Sequence, residues 1–180
     1  MRKVIAAVYL TLDGVMENPA WTGPYFNEEL AQLQHELLFA SDALLLGRLT
    51  YQGFAAAWPG MTDENGFADR MNQLPKFVAS TTLATAEWNA TVLTGDVAAA
   101  VGQLKQQPGQ NLLLYGSSAL ADTLRRQHLI DEYRLMVHPL VLGTGKKFFQ
   151  DNSPGTDLKL VTSQTTRTGV TVLTYQPATN

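Results

Sequence analysis

The 180-residue sequence has no cysteine, which excludes disulfide staples, thiolate metal sites and cysteine nucleophiles. Charge is also scarce. Charged residues make up 16% of the chain, the net charge is -3, and no run of Lys or Arg exceeds two residues. Such a chain has no positive field with which to hold a phosphate backbone, so nucleic acid is not an expected partner. Long apolar runs are missing as well. Val4 to Leu10 is too short to cross a bilayer and runs into polar Thr11 and Asp13 without a signal-cleavage pattern. A cytoplasmic protein without a membrane partner is the expectation. What the chain does have is 45% hydrophobic residues, enough for one sizeable core, and residues 1–180 read as a single domain.

The apolar residues fall into alternating patterns. Val4 to Thr11, Ala43 to Leu46, Lys76 to Ala79, Thr91 to Leu93 and Asn111 to Tyr115 read as mostly buried strands. Helices lie between them. Phe26, Leu30, Leu33 and Leu37 recur at helical spacing, as do Val97, Val101 and Leu104, and Ser118 to Gln127 forms a third helix over Leu120 and Leu124. After His128 three strand candidates follow without a helix: Tyr133 to Val141, Leu158 to Ser163 and Val170 to Tyr175. The expected fold is α/β, a single mixed and mostly parallel sheet flanked by helices, with antiparallel C-terminal strands. Gly60 to Gly66 and Asp151 to Gly155 read as surface loops.

Three strand ends carry small polar residues. Leu44-Leu45-Leu46-Gly47-Arg48-Leu49-Thr50-Tyr51 passes from strand through glycine into a helix, where free amides attract anions. Gly47 admits a phosphate, Arg48 offers a charge-assisted fork and Thr50 a hydroxyl. A plain turn with a solvated arginine accounts for the same residues. Tyr115-Gly116-Ser117-Ser118 repeats the design and fits a pyrophosphate, or simply a serine cap. Ser80 and Thr81 end a third strand, as an adenosine contact or a hydroxyl-rich turn. Ligands of open α/β sheets bind beyond the carboxyl ends of strands, where these turns converge. Asp13-Gly14 places a carboxylate at the same edge, as a proton relay or a turn former. The aromatics Trp21, Tyr25, Trp58 and Trp88 serve either to cover a flat ligand or to fill the core.

The order of these motifs resembles the dihydrofolate reductase fold in its cofactor half: Leu46-Gly47-Arg48-x-Thr50-Tyr51, Leu74-Pro75-Lys76-x-Val78-x-Ser80 and Tyr115-Gly116-Ser117-Ser118. Leu12-Asp13-Gly14, Leu129-Ile130-Asp131-Glu132-Tyr133 and Pro139-Leu140-Val141-Leu142-Gly143-x-Gly145-Lys146 resemble a branch of it, the C-terminal reductase domain of the bifunctional riboflavin-biosynthesis deaminase-reductase. The resemblance implies NADPH lying across the strand ends and a homodimer. Gly47, Arg48 and Thr50 match its phosphate turn, Ser80 and Thr81 its adenosine-side turn, Gly116, Ser117 and Leu120 its pyrophosphate turn, and Asp13 its active-site loop. Gly143, Gly145 and Lys146 match an ordered turn near the site.

Two departures bear on substrate. Pro24 to Leu30 does not reproduce the local sequence that carries the pterin-binding acid of dihydrofolate reductases. Ala7 stands where the riboflavin-pathway reductases carry lysine, and their deaminase domain is absent from these residues. The expected function is hydride transfer from NADPH to a small pterin- or pyrimidine-like substrate, with Asp13 or a water it holds as proton source. The alternative is a non-catalytic nucleotide- or pterin-binding module of the same fold.

Overall fold

A computed structural model describes residues 1–151 and 153–178. Its elements run β1 (Val4–Thr11), a 3-10 segment (Pro19–Tyr25), α1 (Glu28–Phe39), β2 (Ser41–Gly47), α2 (Arg48–Ala57), α3 (Phe67–Gln73), β3 (Lys76–Ala79) and β4 (Ala90–Leu93). They continue with α4 (Val97–Gln106), β5 (Asn111–Gly116), α5 (Ser118–Arg126), β6 (Glu132–His138), β7 (Leu158–Thr165) and β8 (Thr171–Pro177). The strands form one sheet in the order β4-β3-β2-β5-β1-β6-β8-β7. Neighbouring strands from β4 to β6 pair in parallel. β8 pairs antiparallel with both β6 and β7. The mixed α/β architecture expected from the pattern is the one observed, with β6 serving as the junction between its two parts.

Leu44, Leu45 and Leu46 are completely buried, as are Leu112, Leu113 and Leu114. Continuous burial of this kind needs a helix layer on each face of the sheet. Alternation along β1 assigns the layers. Val4, Ala6 and Val8 face a core shared with Val101, Leu104, Leu120 and Leu124 of α4 and α5. Ile5 and Ala7 face the other, shared with Leu30, Leu37 and Leu38 of α1 and Met71 of α3. Leu120 thus belongs to the core, because the apolar face of α5 turns inward. What it presents to the turn is its backbone amide, which donates to the Ser117 hydroxyl at 3.4 Å.

Two elements were not foreseen. One is the 3-10 segment, and the other is α3, which starts where both carboxylate oxygens of Asp63 accept from the amides of Phe67 and Ala68, at 2.8 and 2.7 Å. Phe26, expected within α1, lies before the Asn27 cap and is exposed. β6 ends at His138 rather than Val141, since Pro139 has no amide to donate. The apolar run Leu135 to Leu142 is largely satisfied within the chain. Leu135 and Met136 are buried between β1 and β8, and only its end, Val141 and Leu142, is exposed among its large apolar residues.

Leu113 lies at the middle of the sheet and is fully buried. Leu113→Ala removes contacts that the surrounding rigid strands cannot replace, and a loss of about 2–5 kcal/mol is expected in urea denaturation. A loss below 1 kcal/mol would mean that the helix layer on this face collapses readily into the space.

Candidate functional site

The strand order brings the polar turns into one row. Gly47 at the end of β2 pairs with Ala79 of β3, and Leu46 pairs with Gly116 of β5. Ser80 and Thr81, Gly47 to Thr50, and Gly116 to Ser118 therefore leave three consecutive strands at one edge, with β1 next in order. The helix starts in this row differ from those elsewhere. α1 and α4 are capped by side chains, Asn27 accepting from Leu30 and Asp96 from Ala99, both at 3.0 Å. α2 has Gly47 at its cap, which leaves its first amides without a side-chain acceptor, and Ser117 caps α5 only through a long 3.4 Å bond. Amides in this state are the donors an anion requires.

Glycine serves different purposes at the two turns. A Cβ on Gly47 would approach the Ser117 backbone nitrogen to 2.9 Å and its Cβ equally closely. The close approach made there is by Ser117 itself. Gly116 has φ +126° and precedes a cis peptide to Ser117. A Cβ on Gly116 would meet Met16 at 3.2 Å and Thr50 at 3.3 Å. Substitution there is strained whatever the ligand, so a bulky residue at 116 is expected to disturb the fold as well as the site.

Below this edge opens a cavity of about 1130 Å³. Ala7, Val8 and Tyr9 of β1 line it together with Tyr115 of β5. α1 contributes Glu28, Ala31, Gln34 and His35, and α2 contributes Thr50, Gly53 and Phe54, followed by Trp58, Phe67 and Met71. Of the candidate residues, Thr50, Ser117, Ser118 and Lys146 reach the cavity. Arg48 does not line it. Its side chain donates to Gln52 at 3.1 Å on the exposed side of α2. Ser80 closes its own turn, its hydroxyl accepting from the amides of Thr82 and Leu83 at 3.2 and 2.9 Å, and Thr81 is exposed.

Asp13 also lies outside the cavity lining. Its carboxylate accepts from the Thr11 hydroxyl at 2.5 Å and from the amides of Gly143 at 2.8 Å and Leu142 at 3.3 Å. The Thr11 hydroxyl first, and then the Gly143 amide, hold its carboxyl down at about 2. A group so firmly ionised is a poor proton source. The geometry makes it the tie that fastens the loop after β6 to the end of β1. Among the aromatics, Trp58 faces the cavity. Trp21 and Tyr25 instead pack edge-on against buried His138, at 5.1 and 5.7 Å between ring centres, and Trp88 covers the Lys76 ammonium at 3.9 Å.

The polar groups of the cavity floor were not anticipated. Tyr115 donates to the Gln34 carbonyl at 3.5 Å, and Gln34 also bonds to Tyr9. Burial raises both phenols above their ordinary range, so they stay protonated at neutral pH. A signal existed for Gln34: it interrupts the apolar stripe of Leu30, Leu37 and Leu38. Polar residues within such a stripe need a reason to be buried.

The family model of the RibD C-terminal domain matches residues 2–172. The chain belongs to that family. Its members include a reductase type, and this RibD C-terminal-domain chain is 29% identical over 177 residues to YyaP of Bacillus subtilis (strain 168), an uncharacterized protein, with 97% of the chain and 94% of YyaP covered. Its fold matches a pyrimidine reductase-like protein from Corynebacterium diphtheriae at TM-score 0.75 and 14% identity, covering 99% of this chain and 93% of that one. It also matches Enterococcus faecalis dihydrofolate reductase complexed with NADP(H), at TM-score 0.66 and 14% identity, covering 97% and 96%.

The Asp13 tie predicts a pH-dependent loop. Its carboxyl is lowered in the folded protein, so the tie is fully formed above the ordinary carboxylate range and is lost as pH falls through about 2. At neutral pH, Asp13→Asn should speed hydrogen exchange at the Leu142 and Gly143 amides while leaving the central strands protected. Unchanged exchange at both amides would show that the loop is held by other contacts.

Proposed function

We propose that this protein is an NADPH-dependent reductase acting on a small flat substrate. The observation that carries the reading is the row of adjacent strand ends bearing the uncapped start of α2 and the weakly capped start of α5. The residues present suit the cofactor. At Gly116 a side chain would crowd Met16 and Thr50, both of which line the cavity, and Gly53 leaves open space where any side chain would project. The first amides of α2 with Thr50, and those of α5 with Ser117 and Ser118, would hold the two phosphates. Arg48 with Thr81 would take the adenosine-side phosphate from outside the cavity.

When bound, NADPH supplies the hydride. The chain supplies position and dryness. Phe54, Trp58 and Phe67 form an aromatic wall for a flat ring, while the Tyr9 and Tyr115 hydroxyls, kept protonated by burial, donate hydrogen bonds from the floor. With Asp13 ionised and turned away, water at the mouth near Glu17 and Lys146 delivers the proton. A floor without an acid also suits a module that binds without turnover, and NADPH oxidation against a substrate panel separates the two. Arg48→Ala should weaken NADPH by roughly one to two decades in calorimetry, since a charge-assisted contact is worth about 1.5–3 kcal/mol, and leave NADH nearly unaffected. Equal losses for both would put Arg48 on the shared pyrophosphate; no loss would leave it a solvated charge.

A homodimer completes the proposal, and β7 is its basis. This outer strand is exposed along nearly its whole length, with Leu160 and Val161 47% and 48% accessible. An uncovered, partly apolar edge strand calls for pairing, and a second copy offers the same edge in self-complementary form. Light scattering should give twice the chain mass, and Val161→Lys should halve it. A monomer for the unsubstituted protein at micromolar concentration removes the proposal.

A further inference from the structure

Gln34 stands apart from the other polar groups of the cavity. It is 6% exposed, yet it lines the cavity, and its measured contacts within the chain are long: 3.5 Å from the Tyr115 hydroxyl to its carbonyl and 3.6 Å from its amide nitrogen to the Met136 sulfur. Several other polar groups of the cavity are occupied. Asp63 caps α3 with both oxygens, His35 bonds to the Asn65 carbonyl at 3.2 Å and stacks on Phe39, and Ser118 accepts from Gln150 at 3.3 Å. Gln34 is thus a buried amide whose carbonyl takes one long bond and whose weakest donor contact is to a sulfur, facing a space large enough for a ligand. Unspent buried polar capacity is costly unless something fills it.

Charge is distributed in the opposite way. Around Gln34 the cavity offers Ala31, Tyr9 and Tyr115, none of them charged at neutral pH. Ionised groups occur toward the mouth, where Glu17, Glu28 and Asp63 outnumber Lys146, whose ammonium already lies 4.0 Å from Glu17. Among the described residues of the lining a phosphate-bearing substrate would meet three carboxylates against one lysine, itself beside Glu17, and a charged ring edge on the floor would lack a counter-ion.

We propose that Gln34 is the substrate-reading residue, and that the substrate is an uncharged, unphosphorylated flat ring with adjacent N–H and C=O groups. The Gln34 amide donates to the ring carbonyl and accepts from the ring N–H, while Phe54, Trp58 and Phe67 flank the ring. This rests on the reductase reading for its biological use but not for its test, which needs no cofactor.

The test is calorimetry on the full chain with three probes on one fused bicyclic frame: quinolin-2(1H)-one, naphthalene and quinoline-2-carboxylate. The lactam should bind roughly tenfold or more tightly than naphthalene, as expected for a paired amide contact in a dry site, and the carboxylate should bind worst. Gln34→Leu should abolish the lactam's advantage, leave naphthalene binding intact and leave NADPH affinity unchanged. A lactam advantage that survives Gln34→Leu overturns the proposal, and so does a carboxylate that binds as well as the lactam. If Gln34→Leu fails to fold, the comparison of probes on the unsubstituted protein still decides: no preference for the lactam over naphthalene overturns it. Absence of NADPH binding alongside Gln34-dependent lactam binding would instead sink the cofactor reading and leave this one standing.

Discussion

Burial of the central strands on both faces is the constraint from which the rest of the molecule follows. Leu44 to Leu46 and Leu112 to Leu114 have no accessible surface, so neither face of the sheet can be left to water. Parallel strands with helices on both faces return mostly through helical crossovers, which places strand-to-helix turns at the same edge. The amides that begin α2 and α5 therefore point from neighbouring positions. An anion-binding row is a by-product of covering the core, and what distinguishes it is the weakness of its own caps beside those of α1 and α4.

The cavity divides its chemistry by depth. Apolar and aromatic surface, two protonated phenols and one amide occupy its interior, while carboxylates gather at the mouth. The arrangement favours ligands that shed water easily, because a neutral ring loses little solvation on entry and a charged one loses much. The recognition is therefore carried by hydrogen-bond pattern and shape rather than by charge at the reacting end. The charge contacts belong to the outer row of turns.

Legibility from sequence followed the range of the interactions involved. β1 was readable from Val4 to Thr11 because its boundaries depend on neighbours in the chain, and α5 because its apolar face and serine cap are both local. Asp13 was legible as a turn residue but not as a tie, since the amides it holds lie 129 and 130 residues away. α3 was missed because a seven-residue helix with Ala68 and Met71 as its buried residues shows almost no periodicity, and its start depends on the Asp63 loop. The side chain of Leu120 was ambiguous for a related reason: an apolar residue after a polar turn reads equally as wall of a site or as core, and only the packing of α5 decides.

The contact between Gly47 and Ser117 joins two turns that are far apart in the chain. Because the serine occupies the room that a side chain at position 47 would need, the starts of α2 and α5 are keyed to one another like adjacent stones in an arch. Neither can widen alone. A guest arriving at this pair finds a seat of set gauge, and binding does not have to bring two loose loops to order, an expense of about 0.5–1.5 kcal/mol for each immobilised side chain. The same keying restrains inheritance. Any enlargement at position 47 must be answered by a retreat at position 117, so the two should change together in descendants of this chain or not at all.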